Sequence, residues 1–545
     1  MPRLSALLAV LLAGAISISA LAADDDISKA KPNPTPVPTS AVAPDSTTEG
    51  SVLVGGATIA YKAVAGTITV GATEEQDAQL GPDGKPLPDT EAALAAAASK
   101  DPKDAPPIAR MFYVAYFKKD AKEDDRPITF LYNGGPGSST VWLHMGSFGP
   151  KHVMTSDDTH LPGAPYKLVN NAYSLLDVSD LVFIDMPGTG FGRLVGKDKE
   201  KAFWGVDEDA HAYARFIARF ISKYNRWNSP KYLFGESYGT TRSAVVSNIL
   251  ENEKSIDLNG VILLSQIFNF TSDIDAARSN PGIDLPFELA LPTYAATAYY
   301  HHKLPNQPAA MEPFLKEVED FAMGEYSHAL AQGTDLSASE KQAVAEKLHN
   351  YTGLPVAYLL KADLRVSGGG FEKNLQGDED LTTGRLDTRF SGPTINPLSE
   401  EAEYDPQSSA ISSAYVSLFN DYVRRDLKYG EGQTYLPMAD FGSAQWDLKH
   451  NGNPINLNVS ADIATAMKTN PRLKVMVNGG YYDLATPFYS AMYEDKHLPI
   501  PESLAKNIQY DWYESGHMVY VRDESLQKLH DRVAAFIRST EAGNM

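Results

Sequence analysis

Three residues carry the most pointed chemistry in this 545-residue chain: Ser237, Asp483 and His517. Ser237 sits in Phe234-Gly235-Glu236-Ser237-Tyr238-Gly239, a Gly-x-Ser-x-Gly pattern. Lys231-Tyr232-Leu233-Phe234 precedes it as a short apolar run, and Thr240 to Leu250 follows with Ala244, Val245, Val246, Ile249 and Leu250 at helical spacing. Strand, sharp turn and helix make a nucleophile elbow of such a pattern. The turn strains the serine backbone, so the positions two before and two after it must be small, and Gly235 and Gly239 fill both. The helix start then turns free N–H groups toward the reacting centre. A serine hydroxyl is a poor nucleophile until a base takes its proton. An imidazole such as His517, with an ordinary pKa near ~6.5, does this at neutral pH. A carboxylate such as Asp483 holds the other ring N–H and stabilises the imidazolium.

A second group is the loop Asn133-Gly134-Gly135-Pro136-Gly137-Ser138-Ser139. It suits either a tight turn or an oxyanion loop, in which missing side chains let backbone N–H groups approach developing negative charge. A phosphate cradle is excluded, because no Gly-Lys-Ser/Thr follows.

The elements that must position these groups are apolar runs ending in Gly-rich turns. Met111–Phe117, Pro127–Tyr132, Leu181–Asp185, Lys231–Phe234, Val261–Leu264, Lys474–Asn478 and Ile508–Tyr513 are predicted strands. Val206 to Tyr224 is a predicted helix, with Phe216, Ile217, Phe220, Ile221 and Tyr224 on one face. Strands alternating with helices imply a mostly parallel sheet covered on both sides. Strand C-termini share one edge of such a sheet, so Ser237, Asp483 and His517 can converge there. Their chain order is that of an α/β-hydrolase. The expected fold is therefore α/β: a mostly parallel central sheet formed by 51–268 and 445–545, with a mainly helical cap insertion over 269–444. Ser337-Ala338-Ser339-Glu340 opens one of its helices with capping-box spacing. Tyr294, Tyr299, Tyr300, His301 and His302 are expected to pack or lie at the surface.

Composition narrows the partners. Net charge is -21 and no basic stripe is visible, which argues against nucleic acid. The absence of cysteine excludes disulfides, thiol catalysis and Cys-ligated zinc. No metal is expected, since no His-Glu-x-x-His occurs. Met1-Pro2-Arg3, the apolar stretch Leu4–Leu21 and Ala20-Leu21-Ala22 form an export signal over 1–22. Residues 23–50, rich in Pro, Thr, Ala and Ser, are expected to be a flexible leader. The expectation is an exported protein, periplasmic or extracellular in a bacterium, without a stable membrane anchor.

Four blocks together resemble the serine carboxypeptidase (S10 peptidase) family: Asn133–Ser139 running to Gly149-Pro150, Gly235–Gly239, Gly480–Asp483 and Ser515–Met518. Asp185–Phe191 is similar to a further family block. The resemblance implies release of C-terminal residues from peptide substrates through an acyl-enzyme, without cofactor. It implies Ser237, Asp483 and His517 as the triad, and the N–H groups of Gly135 and Tyr238 as the oxyanion hole. It further implies Asn133, Gly134 and Glu236 as the site for the peptide's terminal carboxylate. The chain departs from the family twice. Ser138 stands where a disulfide cysteine is frequent, and Ser147 stands where the carboxylate site usually has a second glutamate. Glu236 then acts alone unless His144 or another side chain substitutes. An esterase or acyltransferase on the same scaffold is the alternative, and a non-catalytic binding protein the remaining one.

Overall fold

The computed structural model describes residues 44–542, apart from 82–83, 99–100, 123–124, 443 and 455. The expected export signal and most of the expected leader lie outside the described residues. The strands in chain order are β1 Ser46–Val54, β2 Ala57–Gly71, β3 Ile108–Lys118, β4 Ile128–Tyr132, β5 Lys151–Val153, β6 Leu168–Asn170, β7 Asp180–Ile184, β8 Arg193–Val195, β9 Lys231–Glu236, β10 Gly260–Leu264, β11 Leu381–Thr383, β12 Ser391–Pro393, β13 Lys474–Gly480 and β14 Ile508–Tyr513.

Ten of these form one sheet in the order β1-β2-β3-β7-β4-β9-β10-β13-β14, with β8 also on β3. The β1, β2, β3 and β8 pairings are antiparallel, and every pairing from β7 through β14 is parallel. Strands β4, β7, β9 and β10 are buried at every position, which is why they are mostly apolar with no polar–apolar alternation, the charged residues Asp180, Lys231 and Glu236 standing at strand ends. The helix Val206–Lys223 buries Phe216, Ile217, Phe220 and Ile221 in the main core. This is an α/β-hydrolase architecture. The flexible leader expected over 23–50 does not hold for 46–50, where β1 begins at Ser46 and pairs with β2 from Ser46↔Ala65 onward. Its outer residues are polar, and main-chain bonds hold them in place.

Between β10 and β13 the chain is mainly helical, with Leu285–Tyr300, Met311–Phe321, Ala338–Thr352 and Pro406–Arg425 as its longer helices. Ser337 and Glu340 close a capping box at the start of the third. This segment has its own apolar cluster, including Phe287, Leu291, Tyr294, Val318 and Phe371. Among the described residues no helix is long and apolar enough to cross a membrane.

One buried ion pair ties core to site. Arg242, on the helix Tyr238–Asn252, donates to Asp209 at 2.6 Å and to the Asn133 carbonyl at 2.7 Å. Both charged side chains are fully buried, and the rings of Tyr132, Tyr213 and Tyr238 surround the guanidinium. Removing one partner strands a charge in an apolar setting. Asp209→Ala is expected to lower the unfolding free energy by about 3–5 kcal/mol, read by chemical denaturation. A loss below about 1 kcal/mol would show that water reaches the guanidinium.

Candidate functional site

The elbow is built by steric exclusion. Ser237 has φ 60° and ψ -132°, a strained conformation for a residue with a Cβ. A Cβ on Gly235 would lie 2.1 Å from the Gly239 carbonyl oxygen, so only glycine allows the turn. The Gly-rich loop after β4 comes equally close: a Cβ on Gly134 would lie 2.4 Å from the Tyr238 nitrogen. That contact sets Asn133, Gly134 and Gly135 beside the start of the helix Tyr238–Asn252. The Tyr238 amide is the first of this helix and has no intrahelical acceptor. Gly135 is exposed at φ 108°, and its amide donates to no described residue. The loop is held from behind by main-chain bonds, since Ser139 N–H donates to Pro437 (2.9 Å) and Ala439 N–H to Gly137 (2.7 Å). Ser138, the position of the missing cysteine, accepts from the Trp142 indole at 2.9 Å.

Asp483 and His517 follow β13 and β14. His517 Nδ1 and Asp483 Oδ2 are 2.8 Å apart, and Asp483 is fully buried. Thr486 orients the acid, donating to Asp483 from its amide (3.0 Å) and its hydroxyl (2.7 Å). Burial pushes the His517 imidazole down, but the charge and hydrogen bond of Asp483, with the charge of Glu236, outweigh it and the net direction is up. Ser237 and His517 are joined through the end of β10. Ser237 N–H donates to the Leu264 carbonyl (3.0 Å), and the Ser265 hydroxyl donates to the His517 carbonyl (2.8 Å). Their side chains share no hydrogen bond, and His517 Nε2 is unengaged among the described residues. In ligand-free sites this contact is often long and tightens with substrate.

A segment of the insertion joins the acid and base loops, and no sequence signal had pointed to it. Leu484 N–H donates to the Arg385 carbonyl (3.1 Å), His517 N–H to Leu386 (2.6 Å), and Thr388 N–H to Tyr482 (2.9 Å). Gly516 N–H donates to Asp387 Oδ2 at 3.1 Å. Asp387 is fixed by Arg389 at 2.6 Å, and Arg389 also holds Asp157 at 2.7 Å. His301, expected to be a packing residue, is 2.7 Å from the Thr388 carbonyl through Nε2.

Glu236 is buried, and burial pushes its carboxyl up to about 7 against the opposing influence of His517. The Tyr520 hydroxyl donates to its Oε2 at 2.9 Å, and the Asn133 side chain lies beside both groups. Ser147 does not face this cluster through its hydroxyl, which donates to the Leu143 carbonyl at 2.6 Å. His144 is no substitute. It stacks on Phe183 at 4.4 Å, shares a 2.7 Å hydrogen bond with Tyr116, and burial lowers it to about 3. The sequence reading missed Tyr520, Thr486 and Asp387.

A strained serine beside free helix-start amides, with an Asp–His pair at neighbouring strand ends, defines the class as an α/β-hydrolase. The family model "Peptidase S10: Serine carboxypeptidase" matches residues 104–540, and the chain belongs to this family. A "Serine carboxypeptidase-like" protein of Oryza sativa subsp. japonica is 29% identical over 150 residues, 27% of this chain and 32% of the relative. A "Carboxypeptidase Y homolog" of Arthroderma benhamiae is 28% identical over 174 residues, 31% of this chain and 32% of the relative. The matched stretches thus span about a third of these relatives' length. Among solved structures, a prohormone-processing carboxypeptidase from Saccharomyces cerevisiae aligns with a TM-score of 0.49 and 15% identity, over 87% of this chain and 91% of that one.

With Asp483 removed, burial is left to dominate His517. The imidazole of Asp483→Ala is expected to titrate below that of wild type in a nitrogen-15 NMR titration. An unchanged titration would mean that the pair does not govern this histidine.

Proposed function

We propose that this chain is a serine carboxypeptidase, releasing C-terminal residues from peptides through an acyl-enzyme on Ser237. Glu236 carries this reading: a buried carboxyl next in sequence to the nucleophile, half-protonated near pH 7. A buried acid that keeps its proton donates a hydrogen bond to a substrate carboxylate, whereas an ionised one repels it. Asn133 and the Gly134 amide complete the subsite. The Ser237 oxygen attacks the last peptide carbonyl while His517 Nε2 takes its proton. The Gly135 and Tyr238 amides hold the oxyanion. As the C–N bond breaks, the proton passes from His517 to the departing amino acid. Water, deprotonated by the same imidazole, then releases the acyl group and restores the Ser237 hydroxyl.

The cellular setting proposed is the bacterial periplasm or exterior. It rests on the Arg3-led apolar stretch Leu4–Leu21, the small residues Ala20 and Ala22, and the absence of cysteine.

An N-blocked dipeptide and its C-terminal amide test the reaction. The free acid is expected to be cleaved in preference to the amide, with turnover falling as pH rises past about 7, where Glu236 ionises. Ser237→Ala is expected to lose on the order of 10³ to 10⁶ in rate and all fluorophosphonate labelling. Turnover of esters alone, with both dipeptides untouched, would instead favour an esterase or acyltransferase. No labelling of the wild type would favour a non-catalytic protein.

A further inference from the structure

Glu236 is the one carboxyl of the proposed substrate-carboxylate subsite, and a lone buried acid is a poor hydrogen-bonding partner unless something orients it. Ser147 cannot, because its hydroxyl is committed to the Leu143 carbonyl of its own helical turn. Tyr520 is placed to do so. It lies in the turn Val519–Val521 that follows His517, is fully buried, and donates to Glu236 Oε2 at 2.9 Å. Its ring fills the space beside the turn that bears Ser147, for a Cβ on Gly146 would meet it at 2.6 Å. The Tyr415 hydroxyl would lie 2.5 Å from that same Cβ, and it is buried with no hydrogen-bond partner among the described residues. The groups around the Glu236 carboxyl are then Tyr520 and His517 from the loop after β14, Asp483 from the loop after β13, Asn133 from the loop after β4, and Tyr415 from the helix Pro406–Arg425. Tyr520 is the member of this set whose hydroxyl donates directly to the carboxyl.

We propose that Tyr520 is the positioning residue of this subsite: its phenol pins one oxygen of Glu236, leaving the other to offer its proton to the peptide's terminal carboxylate. This rests on the carboxypeptidase reading. Two chemical consequences follow. First, the subsite has a single ionisable acid, because a buried phenol beside an acid keeps its proton far above neutral pH. The alkaline loss of peptide binding is therefore one ionisation, about tenfold per pH unit. Second, a hydrogen bond donated to the ionised carboxylate favours that form, so the phenol draws the ionisation toward lower pH.

The test is steady-state kinetics from pH 4.5 to 9 with an N-blocked dipeptide and the methyl ester of the same blocked dipeptide. In the wild type, KM for the free acid is expected to rise through one alkaline limb that the ester lacks. Tyr520→Phe removes one donor to the carboxylate. It is expected to shift that limb upward by about one pH unit and raise KM for the free acid at pH 5 several-fold more than KM for the ester. Incorporating 3-fluorotyrosine at 520, a stronger donor of nearly the same size, is expected to shift the limb the other way, and it covers the case in which the phenylalanine variant fails to fold. Glu236→Gln is expected to abolish the limb. A limb that stays in place in both Tyr520 variants, or persists in Glu236→Gln, overturns the proposal. Wild-type enzyme that treats acid and ester alike at every pH overturns the carboxypeptidase reading itself, a distinct result.

Discussion

The structure depends on a close approach of backbone to backbone at the start of the helix Tyr238–Asn252. The loop after β4 comes so near that a Cβ on Gly134 would lie within 2.6 Å of two amide nitrogens, those of Tyr238 and Gly239. The same crowding holds Ser237 at φ 60°. Such strain costs on the order of 1–3 kcal/mol and persists only where the surroundings over-determine it. Here they do. Parallel ladders on both sides fix β9, with Tyr132↔Gly235 on one side and Leu264↔Glu236 on the other. Arg242 fixes the opposing loop through the Asn133 carbonyl. A strained serine, helix-start amides without a partner among the described residues and a buried acid thus share a few residues of chain, because the packing leaves each a single position.

Burial at this point also separates the roles of neighbouring groups. Asp483 is held by hydrogen bonds from the Thr486 amide and hydroxyl and by its contact with His517 Nδ1. Glu236 has no comparable set of donors, and its burial raises its proton affinity to the neutral range. Two carboxyls near one imidazole therefore sit in different hydrogen-bond surroundings.

The central sheet, the strained turn at Ser237 and the contact of Asp483 with His517 were legible because they leave marks in side-chain type. Strands buried on both faces are mostly apolar, and an elbow must have small residues two before and two after its serine. What was not legible is carried by main chain or by residues that look ordinary. The polar start of β1 at Ser46–Gly50 has the composition of a leader, and only its ladder to β2 makes it a strand. The segment 385–389 binds the acid and base loops chiefly through carbonyls and amides, which any sequence possesses. Tyr520 has the character of a core aromatic, and its hydroxyl becomes informative only once Glu236 is seen beside it. The lack of cysteine was plain in the sequence. That backbone pairing of 437–439 with the Gly-rich loop holds this region was not.

The insertion is more than a cover. Its apolar cluster contains Tyr482 and Leu484, the two residues flanking Asp483, together with Phe488 from the helix that follows. Pulling the insertion away from the sheet at this end would expose both side chains, at about 1.5–3 kcal/mol each. It would also break the main-chain bonds from Leu484 and His517 to the segment 385–389. Opening there is therefore coupled to disassembly of the Asp–His pair, not independent of it. Movement that admits substrate without dismantling the pair has to occur elsewhere in the insertion, where its contacts with the core do not run through residues 482–484. The acid and base loops are then held in working order by the same burial that keeps the insertion attached.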